Sequence, residues 1–269
     1  MRRFFCLFAL FVALPLAAAE RVVSLAPSLT DMVLELDAAD RLVGVLDGGL
    51  RPPALEGLPS VGRYGQVNLE QVLAMRPDLL LVWPGAVPDA QLARLKSFGI
   101  PIYLADPHRL EDVARQLREL GERLGRRDRG EALAKRFEVR VQALREQYHR
   151  ERPLKVFYQV WNRPLYTLGG NQIISDALGL CGGRNLFADL SLPAPQVSQE
   201  AVLARDPEVI LAGSHAELQL WTQMPQLSAT RLGQLWPIPD KNLERPSYAM
   251  LDATEKLCRL LSGAHPATP

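Results

Sequence analysis

The chain has 269 residues, 48% of them hydrophobic, enough for a sizeable core in one large domain or two modest ones. Setting aside Arg2 and Arg3, which belong to a leader, leaves 29 of the 31 basic side chains against 30 acidic ones. That near-balance argues against nucleic acid and anionic membrane surfaces as partners.

Residues 1–19 read as a secretory signal peptide. Arg2 and Arg3 precede an apolar run from Phe4 to Leu16 that is too short to span a bilayer, and Ala17, Ala18 and Ala19 form a small-residue cleavage site, with the cut expected after Ala19. Cys6 lies mid-run, far from that junction, so it is badly placed to become the lipidated first residue of a lipoprotein. The mature chain is expected to be soluble. It retains Cys181 and Cys258, an even pair that in an oxidising compartment can form a disulfide or remain as two buried thiols.

Arg21 to Ser28 reads as a strand stopping at Pro27, after which Thr30 is expected to cap the helix TDMVLELDA. Leu42 to Val45 is a second strand, followed by a long irregular loop to Gly65 of the kind that more often serves function than connection. The stretch VNLEQVLAMRPDLLLV, residues 67–82, then combines a capping Asn68, a short helix with Glu70 in its first turn, a turn, and an apolar run fit for a strand buried on both faces. Trp83-Pro84-Gly85 makes a turn, PDAQLARLKSFG a helix ending at Gly99, IPIYL a strand and LEDVARQLRELGERLG a further helix. Strands alternating with helices predict a largely parallel sheet.

Residues 126–152 are densely charged and free of proline, with a narrow apolar stripe at Leu133, Phe137, Val141 and Leu144. They predict one long exposed helix, ending before Pro153. Beyond it come the strand KVFYQV, a turn at Gly169-Gly170, the helix NQIISDALGLCGG and the loop SLPAPQ. VSQEAVLARDPEVILA, residues 197–212, then repeats the earlier unit: Glu200 falls over Glu70, 130 positions on, and Ser198 over Asn68. A repeat on each side of a helical rod predicts two α/β lobes, over residues 20–125 and 153–269, with 126–152 as connector. The chain closes on the helix MLDATEKLCRLL.

Motifs of catalysis are missing from the sequence: no Gly-x-Ser-x-Gly, no phosphate loop, no Gly-x-Gly-x-x-Gly. His108, His149, His215 and His265 show no metal-ligand spacing, so no metal and no cofactor are expected. A two-lobed enzyme would need converging acids or a nucleophile–base pair, which the linear sequence does not offer.

The leader, SLAPSLTDMVLEL, VNLEQVLAMRPDLLL, the connecting helix, CGGRNLF and APQVSQEAVLARDPEVIL together, in order and over almost the entire mature chain, resemble the periplasmic cobalamin (vitamin B12) binding proteins of ABC importers. The resemblance implies the helix-bridged class III fold, with two Rossmann-like lobes, one rigid helix and a corrinoid held in the cleft between them. It implies a periplasmic monomer that is not an enzyme and that delivers its ligand to a permease dimer with ATPase subunits. It pairs Cys181 with Cys258 as a disulfide. It makes Glu70 and Glu200 the acids that dock onto permease arginines, a pseudo-twofold arrangement suited to a twofold partner, although an acid in a first helical turn is favoured by the helix dipole in any case. Tyr64, Trp83, Tyr166 and Arg245 match ligand-contact positions, and Trp161 stands near enough in sequence to substitute for an aromatic lost elsewhere. This chain departs from the pattern at Ala194, at Gly48-Gly49 and at Ala249, where the family has tryptophan, tyrosine and arginine. The rival within the same architecture is haem, for which Tyr64 is the available iron ligand, or a ferric siderophore, for which Arg63 and Arg245 would have to converge.

Overall fold

The computed structural model describes residues 18–48 and 51–267. The expected leader therefore lies outside the described residues except for Ala18 and Ala19, and so does Gly49.

The first half opens with β1 (Val22–Ser24) and α1 (Pro27–Glu35). The helix begins three residues before the expected Thr30, because Pro27 does not terminate anything. It occupies the first helical turn, where its fixed φ fits and its missing N–H is not needed. Thr30 lies inside the helix and donates to Ser24 Oγ at 2.8 Å, a local bond that ties α1 back to β1.

β2 (Leu42–Asp47) runs on beyond Val45, and the segment expected to be irregular up to Gly65 contains β3 (Ser60–Arg63), followed by β4 (Gln66–Val67). The tight β3–β4 turn requires Gly62, whose φ is +118° and whose added Cβ would stand 2.2 Å from the Gln66 carbonyl. Next come α2 (Leu69–Ala74), β5 (Leu79–Val82), α3 (Asp89–Ser97), β6 (Ile102–Leu104) and α4 (Leu110–Arg123). The sheet order is β4-β3-β2-β1-β5-β6, parallel throughout except for β3–β4.

α5 (Arg127–Gln147) is the expected long helix, six residues shorter than the charged stretch that encodes it. It buries Leu133, Ala134, Phe137, Val141 and Leu144. It crosses α4 where Gly121 and Gly130 meet; a Cβ on Gly130 would stand 2.6 Å from the Leu117 carbonyl.

The second half contains β7 (Leu154–Trp161), β8 (Tyr166–Thr167), α6 (Ile173–Leu180), β9 (Gly183–Asn185), α7 (Gln199–Arg205) and β10 (Val209–Ala212). It closes with α8 (His215–Thr222), α9 (Ser228–Arg231), β11 (Leu235–Pro237) and α10 (Met250–Ser262). Its sheet runs β11-β10-β7, with β9 parallel and β8 antiparallel along the far edge of β7. The disulfide between Cys181 and Cys258 joins the end of α6 to α10.

The two repeats fold alike in detail. Asn68 and Ser198 each accept from the backbone N–H three residues on, at 3.1 and 3.2 Å. Both turns pass through a left-handed residue, Arg76 at φ +47° and Asp206 at +46°. The next acid then clasps the start of the neighbouring strand: Asp78 accepts from the N–H groups of Glu20 and Arg21, and Glu208 from that of Lys155.

Each central strand alternates between two cores. Leu79 and Leu81 face inward and Leu80 and Val82 outward; Val209 and Leu211 face inward and Ile210 and Ala212 outward. The outward faces are covered by α2 and α3 in one half and by α7 and α8 in the other. The inward faces share one continuous core, into which α1, α4, α5, α6 and α10 all pack. Ion pairs reinforce this middle layer: Arg118 holds Glu131 and Glu138 at 2.8 and 2.6 Å, Arg145 holds Glu111 at 2.7 Å, and Arg140 holds Asp252 at 2.9 Å and also Glu255.

Candidate functional site

In an open parallel sheet, ligands bind beyond the carboxyl ends of the strands at the point where strand order reverses. In the first sheet that point lies between β1 and β5, so the segment after β1 (Leu25 to Ser28) and Trp83 after β5 are the residues expected there. Both line a cleft of 960 Å³ whose opposite wall, made of Lys241, Asn242, Glu244, Arg245 and Ala249, comes from the second half. In the second sheet the reversal lies between β7 and β10, and β7 ends at Trp161.

Tyr64 and Trp83 enter the cleft from the first half and Arg245 from the second. The Tyr64 ring is 67% exposed, and its hydroxyl rests against Gly85. Trp83 is half-buried and wedged between the inner and outer cores. The cleft does not reach Trp161 or Tyr166. These two stand opposite one another across the β7–β8 ladder, and Tyr166 also bridges to Gln196 beside the exposed Ala194. Trp161 is 63% exposed, with its indole N–H given to the Arg163 carbonyl at 3.2 Å. Gly48 and Ala249, two positions where this chain carries a small residue, both line the cleft and widen it. Arg63 is exposed and is not part of the lining.

Two acids on the cleft floor are not among the residues expected there. Asp31 and Glu35 sit one turn apart on α1 and reach across to the second half. The Arg245 guanidinium donates from Nε and Nη2 to the two Asp31 oxygens at 2.7 and 2.8 Å, and more weakly to the Pro27 and Gly48 carbonyls. Glu35 accepts from the backbone N–H groups of Tyr248 and Ala249 at 2.8 and 2.9 Å, just before α10, and so caps a helix whose own N-cap residue, Ala249, has no side chain able to do so. Burial raises the Asp31 carboxyl above its ordinary range although Arg245 opposes it, and burial likewise raises Glu35 against its two backbone bonds. The only signal in the sequence was their spacing, two acids on one face of an otherwise apolar helix.

Glu70 and Glu200 occupy the same place in the first turn of α2 and α7, and both are exposed. Hydrogen bonds from its own N–H and from Ser198 hold the Glu200 carboxyl below its ordinary range. Among the described residues no three His, Cys, Asp or Glu side chains gather to hold a metal, and no helix is long and apolar enough to cross a membrane.

Two sheets of this topology, a middle layer of helices and a cleft at the carboxyl ends of the strands define a bilobal binding protein of α/β type. The chain belongs to the periplasmic binding protein family, whose model matches residues 22–232. Within it, the chain is 35% identical over 246 residues to the vitamin B12-binding protein of Vibrio cholerae serotype O1, covering 90% of this chain and 89% of that one. It is 33% identical over 256 residues to the vitamin B12-binding protein of Yersinia pestis, covering 93% and 89%. The crystal structure of the periplasmic vitamin B12 binding protein of Vibrio cholerae superposes with a TM-score of 0.84 at 35% identity, covering 91% of this chain and 97% of that one. The periplasmic heme-binding protein of Roseiflexus shares the fold, with a TM-score of 0.76 at 24% identity over 90% and 98% of the two chains.

Proposed function

We propose that this protein is exported to the periplasm, captures cobalamin or a related corrinoid in its inter-lobe cleft and delivers it to the permease dimer of an ABC importer with its ATPase subunits. The lobes are residues 20–125 and 153–269, with 126–152 as connector. The observation that carries the reading is the cleft itself: 960 Å³, at the upper end of small-molecule sites, walled by Tyr64 and Trp83 and supplied with polar groups from both halves. Trp161 and Tyr166, on the ligand side of the second sheet by the strand-order rule, serve as its outer rim. Glu70 and Glu200 are the docking acids; their support is matching position and exposure in two similarly folded units. Binding and release are the whole mechanism, carried out by a monomer that makes and breaks no bonds.

Removal of residues 1–19 would turn the Glu20 N–H, now 2.9 Å from Asp78, into an α-ammonium paired with that carboxylate. Calorimetric titration with cyanocobalamin, cobinamide, hemin and a ferric hydroxamate tests the ligand assignment. Saturable binding of the two corrinoids with weaker binding of the others is expected, and tight hemin binding abolished by Tyr64→Phe would transfer the assignment to haem.

A further inference from the structure

Arg245 is the guanidinium of the cleft, and its donors are already engaged. Nε and Nη2 bind both oxygens of Asp31, Nη2 also reaches the Pro27 carbonyl at 3.3 Å, and Nη1 reaches the Gly48 carbonyl at 3.4 Å. A guanidinium has five N–H groups in a fixed fork, so one remains for a ligand. The rest of the charged lining is Lys241 against Glu35 and Glu244, which leaves the cleft with more carboxylates than bases. A ligand carboxylate could pair with Arg245 through both oxygens only by displacing Asp31, stranding a half-buried acid, and on the one remaining N–H it would face Asp31, Glu35 and Glu244 with no net positive charge to offset them. A primary amide has no such conflict: its carbonyl accepts the remaining N–H, and its NH₂ donates to the spare lone pairs of the acids.

We propose that Asp31 sets the charge selectivity of this cleft: by occupying Arg245 it disfavours anionic ligands and favours macrocycles whose periphery carries amides. The proposal rests on the corrinoid reading and names the group that enforces it. Asp31 is a positioning residue, since it acts through Arg245.

The test compares cobinamide with cobyrinic acid, in which the same corrin carries carboxylates in place of amides, on the mature protein and on Asp31→Ala and Asp31→Asn. The wild type is expected to prefer cobinamide. Asp31→Ala should narrow the affinity ratio by roughly tenfold or more, the equivalent of one charge-assisted contact, and Arg245→Met in that background should abolish the gain for the acid. A lost structural support would weaken both ligands alike and leave the ratio unchanged. Circular dichroism checks folding, and Asp31→Asn, which keeps the shape but removes the charge, carries the comparison if the alanine variant does not fold. Binding of neither corrinoid by the wild type would defeat the proposed function itself. Binding of cobinamide with a ratio unmoved by the Asp31 variants, or equal wild-type binding of both, would overturn the selectivity proposal alone.

Discussion

Replacing Cys181 and Cys258 together with alanine removes a covalent tie between residues 77 apart in sequence. Treated as loop closure in the unfolded chain, a separation of that length corresponds to about 15 cal/mol/K, or about 4.5 kcal/mol at 25 °C. Both cysteines are fully buried, so the voids left by the sulfurs add to the cost. For a chain of this size each kcal/mol moves the midpoint by about 2–4 °C, so a fall of roughly 9–18 °C is expected. Thermal unfolding of the oxidised wild type, the reduced wild type and the double alanine variant measures that shift, and urea unfolding the free energy; the reduced protein, which keeps its sulfurs, should lie between the other two. The bridge fastens α6 to α10, the helix whose N-cap residue Ala249 lines the cleft, so saturating cyanocobalamin should recover part of the loss. If neither reduction nor substitution costs more than about 1 kcal/mol, the cross-link does not restrict the unfolded chain as the entropic account requires.

Other perturbations address separate parts of the molecule. Reversing the two acids proposed for docking, Glu70→Lys with Glu200→Lys, should leave corrinoid capture intact and abolish uptake in a reconstituted importer; normal uptake would remove their role. Glu35 is held above its ordinary value of 4.5 by burial, so its contribution to stability is fully present below that value and lost as pH rises through the raised one. The stability of the wild type relative to Glu35→Gln should therefore decline as pH rises above 4.5, and a difference independent of pH would contradict the burial argument. The paired left-handed turns should respond in opposite directions. Arg76→Gly relieves an exposed strained residue and should be neutral or stabilising by up to about 1 kcal/mol. Asp206→Gly should cost about 1–2 kcal/mol, because that carboxylate accepts from the Ser228 N–H and hydroxyl at 2.7 and 2.6 Å. Small-angle scattering with and without cobinamide should show a radius of gyration unchanged within error, since α5 shares a core with both halves; large compaction would count against it.

The features legible in the sequence were those encoded locally. Asn68 and Ser198, the runs LLLV and VILA and the stripe of α5 each declare themselves within a few residues, and the repeat made the two-halved plan readable. The short strands β3 and β4 were not legible, because SVGRYGQV is broken by two glycines and its strands are too brief to show an alternation. The start of α1 was misplaced because proline carries opposite meanings at the end of a strand and at the first turn of a helix. In the cleft, Tyr64, Trp83 and Arg245 stand where the resemblance puts ligand contacts, but the partner that occupies Arg245 was not legible. Asp31 and Arg245 are 214 residues apart, and no local pattern reports a pairing across that distance.

The slab of α1, α4, α5, α6 and α10 has a consequence for dissecting the molecule. Each half has its outer face finished, but its inner face is completed only by helices that the other half also uses. Cutting the polypeptide within α5 would yield two fragments with bare apolar undersides, insoluble when expressed alone and soluble when co-expressed. Reassembly of such fragments, read through recovery of cobinamide binding, would be a direct gauge of how much of the cleft's geometry is dictated from beneath.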